Sequence, residues 1–448
     1  MIAVAVIRAA HRFPIALSLS SFIVNNVIQP TLTQPSALKA AQTCLPIYIV
    51  KIFRHTRFIN ATTFAIMQVH KHPLSAPHGN AGFELTSFHF GTPGGGKKVY
   101  IQASLHADEI PGMLVSQFLR KELQALEAAG KLAGEIILIP AANPIGLAQA
   151  IHGAAFGRFD LTTGTNFNRD YKHVAEDLKQ SLQGQLTDDA GANRRLIREH
   201  ALASVARLEP ATDAEQLKKT LLGMAIDADI VLDLHCDNEA VLHIYTGTPL
   251  AGAVAPLSAL LGAQAVLLAR EAGGEPFDEA CSRLWWDLEA HFPNHPIPMA
   301  CLSTTVELRG EMEVSYDLAR ADAAALLRFL ALSGVLRDDA LPDQAAIDAA
   351  LRQLPAPLCE PTPLEGVAPV LAPHAGLLVY TRELGTKVQA GDALGDLIDP
   401  VSGETTVLRA PVPGVFFARS AHRHVLRGMN VGKVAGATAF RAGKLLSQ

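Results

Sequence analysis

The chain has 448 residues, 49% of them hydrophobic and 18% charged. That is material for about three average domains, or two around one large core, and it excludes a small disulfide- or metal-stapled module. Lysine and arginine number 38 against 43 aspartates and glutamates, a net charge of −5, so no nucleic-acid partner is expected, since such a partner calls for a basic excess or stripe.

Five scattered cysteines, Cys44, Cys236, Cys281, Cys301 and Cys359, form neither a CxxC zinc site nor an even disulfide framework, which fits a reducing, cytoplasmic setting. No run of 18 apolar residues occurs, so no ordinary transmembrane helix and no membrane partner is expected. PIALSLSSFIV near the start has the length of a signal-peptide core but lacks a clean cleavage pattern. Residues 1–66 show neither helical nor strand periodicity. They are read as an extension preceding a coherent pattern that opens at Met67, with an ordinary N-terminal subdomain as the alternative.

In chain order, MQVHKHPLS, FELTSFHFG and KKVYIQASLH are predicted strands. Pro111 to Ala129 is a predicted amphipathic helix, which a proline at its first turn can open. EIILIPAANPIG is the next strand, and the helix-like Asp213 to Met224 precedes ADIVLDLH. LSTTVELRG follows as a further strand. Near-continuous apolar strands separated by helices indicate an α/β sheet covered on both faces, with ligands gathering beyond the carboxyl ends of the strands. His106 with Glu109, Asn143, His235 and Glu307 all stand at such ends. GTPGGGKK precedes a strand and lacks the P-loop pattern, so no nucleotide site is expected.

Leu354 to Gly366 is a Pro-rich linker closing a catalytic region of residues 67–353. Residues 367–436 are short β-like runs with an internal repeat, in which APHAG at Ala372 recurs as APVPG at Ala410 and the second copy is one residue shorter. A small all-β barrel with pseudo-twofold symmetry is expected there, followed by a tail over 437–448. It resembles a biotinyl/lipoyl-type domain, but DPVSGET at the hairpin position has no lysine to modify.

The HxxE of SLHADE is weak by itself, and His106 read alone is a cap or buried structural histidine. Glu307 lies in an apolar strand, where an unpaired carboxylate is costly; a general base and a salt bridge to Arg309 are the two readings. Asn168 and Arg169 in NFNRD offer an amide and a planar fork for a carboxylate, or a turn with a solvated arginine. Asp233 reads as a polar strand-end residue, with the orientation of a liganding imidazole as its alternative. His243 reads as structural.

HADE, NFNRD, DLH and TVEL, in this order, resemble the succinylglutamate desuccinylase/aspartoacylase group of zinc-carboxypeptidase-like hydrolases, over roughly residues 67 to 350. The resemblance implies a mixed sheet flanked by helices and one zinc ion per chain held by His106, Glu109 and His235. It further implies Glu307 as base, Asn168 and Arg169 on the substrate carboxylate, and Arg158 polarising the scissile carbonyl. Ten residues separate Arg158 from Asn168, with LTTG between, and Asn166 stands where an acidic residue is usual. Both departures point away from N-acetylaspartate or succinylglutamate and toward other small N-acyl amino acids. A metallocarboxypeptidase acting on peptides and a non-catalytic binding protein of the same fold are the alternatives, and self-association into a homo-oligomer stays open.

Overall fold

The apolar runs become the strands of a nine-stranded sheet in the computed structural model, which describes residues 67–75, 82–337 and 354–446. The extension over 1–66 lies outside the described residues. Along the chain come β1 (Gln68–Pro73), β2 (Glu84–Gly91), β3 (Lys98–Ala103), α1 (Pro111–Ala128), β4 (Glu135–Ile139), the single turn α2 (Pro144–Leu147) and a small hairpin of β5 (Ala150–Ile151) and β6 (Ala154–Ala155). Helices α3 (Ala175–Ser181), α4 (Ala190–Ala206) and α5 (Asp213–Ala225) lead to β7 (Ile230–Asp237), β8 (Glu239–Ala240) and β9 (His243–Gly247). Then follow α6 (Ala251–Leu261), β10 (Ala265–Ala269), α7 (Phe277–His291), β11 (Leu302–Gly310), α8 (Tyr316–Leu332) and β12 (Thr362–Pro363).

The sheet order is β1-β2-β4-β3-β7-β11-β9-β10-β12. Its centre, β4, β3, β7 and β11, is parallel, and β9 runs antiparallel to β11, so the sheet is mixed. Burial on both faces explains the unbroken apolar runs. In β3, Tyr100 turns to a core completed by Phe277 and Trp285 of α7 together with residues of α3, α4 and α5. Its neighbours Val99 and Ile101 turn to the opposite core, under α1, α6 and α8. Pairing of β3 with β7 and of β7 with β11 brings the ends of these strands together, and with them His106, His235 and Glu307.

Beyond β12 the chain forms two antiparallel sheets from β13 (Val367–Leu371), β14 (Gly376–Tyr380), β15 (Lys387–Val388), β16 (Ala393–Ile398), β17 (Thr405–Arg409), β18 (Gly414–Arg419), β19 (His424–Val425) and β20 (Asn430–Ala435). One has the order β13-β20-β18-β15 and the other β17-β16-β14-β19. Val370, Leu378, Leu397, Phe416 and Val434 close the apolar space between them. The repeat of the sequence is visible in the elements, since β14, β15 and β16 recur in order as β18, β19 and β20. No helix among the described residues is long and apolar enough to cross a membrane.

Candidate metal and active site

The turn after β3 is set by backbone geometry. Ser104 adopts φ +61° and its hydroxyl donates to the Glu109 carbonyl (3.1 Å), folding His106 and Glu109 back onto one point. His106 Nδ1 lies 2.9 Å from Glu109 Oε1, and His235 Nδ1 lies 2.7 Å from Glu109 Oε2. Ligand atoms of all three residues fall within 4.8 Å of one another, and all three residues are buried. Two imidazole nitrogens and one carboxylate converging in this way form a donor set suited to zinc in a catalytic site, which takes three protein ligands and keeps a fourth position open.

The far nitrogens of both imidazoles also face polar groups. His106 Nε2 donates to Asn166 Oδ1 (2.9 Å), whose identity as the oxygen is fixed because it also accepts from the Asn168 backbone N–H (2.9 Å). That bond leaves the Nδ1 lone pair for the metal side. His235 Nε2 is 3.0 Å from Asp233 Oδ2, and Gln102 holds the other Asp233 oxygen at 3.0 Å. Asp233 is fully buried and acts on the imidazole, so its reading as a plain strand-end residue is corrected. Alternation along β7 puts positions 233 and 235 on one side, which was the signal available in the sequence. Burial and the Arg158 charge lower His106 to about 4. Burial opposes charge on His235 as well, yet Asp233 and Glu109 outweigh it and hold that imidazole well above its usual range.

Arg158, Asn168 and Arg169 sit on one loop that doubles back. Phe159 bridges Asn166, the Phe167 N–H donates to the Arg158 carbonyl (3.1 Å), and Asp160 closes a turn through Thr165 and Gly164. The LTTG residues therefore bulge outward, and the long spacing still brings Arg158 beside the ligands. Its Nη1 is 3.2 Å from His106 Nδ1 and 3.4 Å from Glu109 Oε1. Asn168 Oδ1 accepts from the Phe277 N–H (2.9 Å), leaving its amide N–H groups for a ligand.

Glu307 is paired in register with His235 across β11 and β7. Its Oε2 is buried with no hydrogen-bond partner among the described residues, and Arg309 is engaged elsewhere, in a two-pronged pair with Asp322 (2.7 and 2.8 Å). Burial pushes the Glu307 carboxyl up to about 8, with the nearby Glu109 charge adding to the rise. Cys236, next to His235, donates its backbone N–H to Glu109 Oε2 (3.1 Å), and burial raises its thiol far above the nucleophilic range.

The seven site residues expected from the sequence, His106, Glu109, Arg158, Asn168, Arg169, His235 and Glu307, line one cavity of about 490 Å³. A cleft of about 610 Å³ beside Asn238–Leu242 contains none of them, so chemistry and not size marks the site. Sequence reasoning missed four further residues in the cavity wall. Asp278 and Glu279 come from the first turn of α7, where burial raises them to about 7 and about 8. Lys433 and Arg419 come from β20 and β18, and they pair with Asp237 and Glu239 just after the His235 strand.

A family model for the succinylglutamate desuccinylase/aspartoacylase catalytic domain matches residues 95–333. A putative succinylglutamate desuccinylase/aspartoacylase family protein from Shewanella amazonensis is 28% identical, with a TM-score of 0.69 over 82% of this chain and 98% of that one. Its counterpart from Shewanella frigidimarina is 25% identical, with a TM-score of 0.68 over 83% and 97%. A succinylglutamate desuccinylase/aspartoacylase from Rhodobacter sphaeroides shares the fold at 18% identity and a TM-score of 0.57, over 83% and 95%. No curated protein matches the chain. With more than half its length matched by the catalytic-domain model, the chain belongs to the succinylglutamate desuccinylase/aspartoacylase family.

Proposed function

We propose that this chain is a zinc-dependent amidohydrolase that splits the amide bond of small N-acyl amino acids. The observation that carries the reading is the meeting of the His106, Glu109 and His235 donor atoms with the unpartnered Glu307 Oε2 in one cavity. Those three residues would hold a zinc ion, which would supply Lewis acidity toward a water and a carbonyl oxygen. Glu307 receives the proton of the attacking water and delivers it to the leaving nitrogen, a task open to a carboxyl that lines the cavity with an oxygen unpartnered among the described residues. Arg158, aimed at the ligand set, faces the carbonyl oxygen as negative charge develops there. Arg169 and the free amide N–H groups of Asn168 hold the substrate carboxylate and so fix the amide for attack.

A cavity of about 490 Å³ is of the size that encloses small ligands. Pro369, Leu371 and Lys433 of the C-terminal sheets line it, which favours small substrates over peptides. We read those two sheets as a flattened barrel of the biotinyl/lipoyl type, used as a pocket wall and not as a carrier. The test is release of free amine from a panel of N-acetyl, N-succinyl and N-formyl amino acids, beside short peptides, by zinc-loaded and chelator-treated protein. Chelator-sensitive release from the acyl amino acids alone supports the reading; release only from peptides, or from neither group, removes it.

A further inference from the structure

The cavity has an acidic end that the reaction above leaves unused. Asp278 and Glu279 stand in the first turn of α7, 7% and 5% exposed. Glu279 Oε1 accepts from the Ala272 N–H (2.5 Å), while its Oε2 is buried with no hydrogen-bond partner among the described residues. An orphaned carboxylate oxygen in a water-poor site is a cost that a ligand cation would offset. Both acids line the same cavity as the ligand set.

Hydrogen bonds tie this acidic turn to the carboxylate clamp. Phe277 N–H donates to Asn168 Oδ1 (2.9 Å), Asp170 N–H to the Gly274 carbonyl (2.8 Å) and Tyr171 N–H to the Glu275 carbonyl (3.0 Å). Gly274, at φ +82°, lies against the Arg169 side chain, where a Cβ would come within 2.9 Å of Arg169 Cδ. A substrate whose carboxylate rests on Asn168 and Arg169 is thereby held beside the first turn of α7. Leu267, Ala269 and Leu445 give the cavity an apolar stretch of wall and belong to one buried cluster with Ala272, while the Arg441 guanidinium at its edge is held on the Val367 and Leu445 carbonyls (2.9 Å each). Ala272 links the parts, since its N–H serves Glu279 and its carbonyl accepts from the Leu445 N–H (2.9 Å). Apolar walls leading to buried carboxylates suit an aliphatic stem that ends in an ammonium group.

We infer that Glu279, with Asp278 beside it, is a cation subsite for the amine half of the substrate, which is then an N-acyl derivative of a diamino acid such as lysine or ornithine. The inference rests on the deacylase reading for the position of the substrate carboxylate. It concerns specificity and adds no chemical step.

The test compares Nα-acetyl-lysine and Nα-acetyl-ornithine with Nα-acetyl-norleucine, which has the lysine stem without its nitrogen, and with Nα-acetyl-glutamate, on the zinc-loaded full chain. The basic substrates are expected to exceed norleucine at least tenfold in kcat/KM. Glu279→Gln, which keeps the acceptor for Ala272, should bring that ratio toward one. Equal or better turnover of the norleucine or glutamate substrate overturns the subsite while leaving the deacylase reading intact. Titration calorimetry with free lysine, ornithine and norleucine reads the subsite without turnover. If none of the acetylated amino acids is hydrolysed, the deacylase reading is judged on the wider acyl panel and calorimetry alone decides the subsite. Binding of lysine at least tenfold tighter than norleucine, lost in Glu279→Gln, supports the subsite, and equal binding of the two overturns it.

Discussion

His106 and His235 each present Nδ1 to Glu109, the opposite nitrogen bonded to Asn166 Oδ1 in one case and facing Asp233 Oδ2 at 3.0 Å in the other. Such partners fix the tautomer and raise the basicity of a ligand, and their removal typically lowers metal affinity about 10- to 100-fold. Asp233→Ala is therefore expected to weaken zinc binding by that factor in competition with a chromophoric chelator, and unchanged affinity would assign Asp233 a packing role only. Glu307 has a different place in the site, off the donor set and with an unpartnered oxygen. Glu307→Gln keeps the shape and removes the proposed base, so kcat should fall by about 100- to 10,000-fold with zinc content retained; near-normal kcat would send the search to another carboxylate. Arg169→Lys keeps the charge and loses the planar fork, and it should act chiefly by raising KM for substrates with a carboxylate beside the amide. The ligands were legible because His, Glu and His fall at strand ends in a recognisable order. Asn166 was noticed only as a departure from that order; its bond to an imidazole 60 residues away is a product of folding.

The site hangs on the turns that leave the strands. Of the five non-glycine residues with positive φ among those described, four flank it: Ser104, Asp170, Glu275 and Arg309. Such conformations are disfavoured for side chains with a Cβ and persist where surrounding structure enforces them. At Arg309 the chain leaves the β11–β7 register, which slips between Glu307 and Gly310. The HADE turn is secured from the other side by the Gly157 carbonyl, which accepts from the Ala107 N–H (3.0 Å). A Cβ on Gly157 would lie 2.3 Å from the Asp108 nitrogen and 2.6 Å from the Ala107 carbonyl carbon. Gly157→Ala is thus expected to cost about 1–3 kcal/mol by overpacking, read as a lower urea midpoint, and to reduce zinc affinity with it because the displaced turn carries two ligands. Full zinc affinity in the variant would show that the turn yields without moving His106. Strands such as EIILI were readable as elements because burial on both faces leaves an unbroken apolar run. The loop from Arg158 to Asn168 was not, since counting residues cannot show that Leu161 to Gly164 bulge away from the site.

At the scale of the molecule, the C-terminal sheets are continuous with the catalytic region. β8 pairs with β18 through Ala240–Ala418 and Glu239–Arg419, and Glu239 takes both Arg419 (2.6 Å) and Arg423 (2.5 Å). Lys433 of β20 bonds Asp237, two residues past His235, across 196 residues of sequence. No local pattern announces such a pair, because nothing in the neighbourhood of either residue depends on the other until β7 and β20 are both in place. Burial alone would lower the Lys433 ammonium, but Asp237 more than compensates and raises it. Removing the cation leaves Asp237 near the Glu307 carboxyl without its Lys433 partner. Breaking a fully buried pair by removing one partner costs about 3–5 kcal/mol. The Lys433 side chain is 24% exposed and Asp237 21%, so water recovers part of that and Lys433→Met should cost about 2–3 kcal/mol. The double variant Asp237→Asn with Lys433→Met removes the stranded charge together with its partner, and it should recover most of the loss, the non-additivity being the mark of a direct pair. Urea midpoints of the single and double variants measure this. Since the pair joins β20 to β7, the strand that carries His235, zinc affinity should follow the same order, weakest in Lys433→Met and restored in the double variant. A single variant that unfolds at the parent's urea midpoint would show that the β8–β18 pairing and the Glu239 clamp hold the wall in place without Lys433.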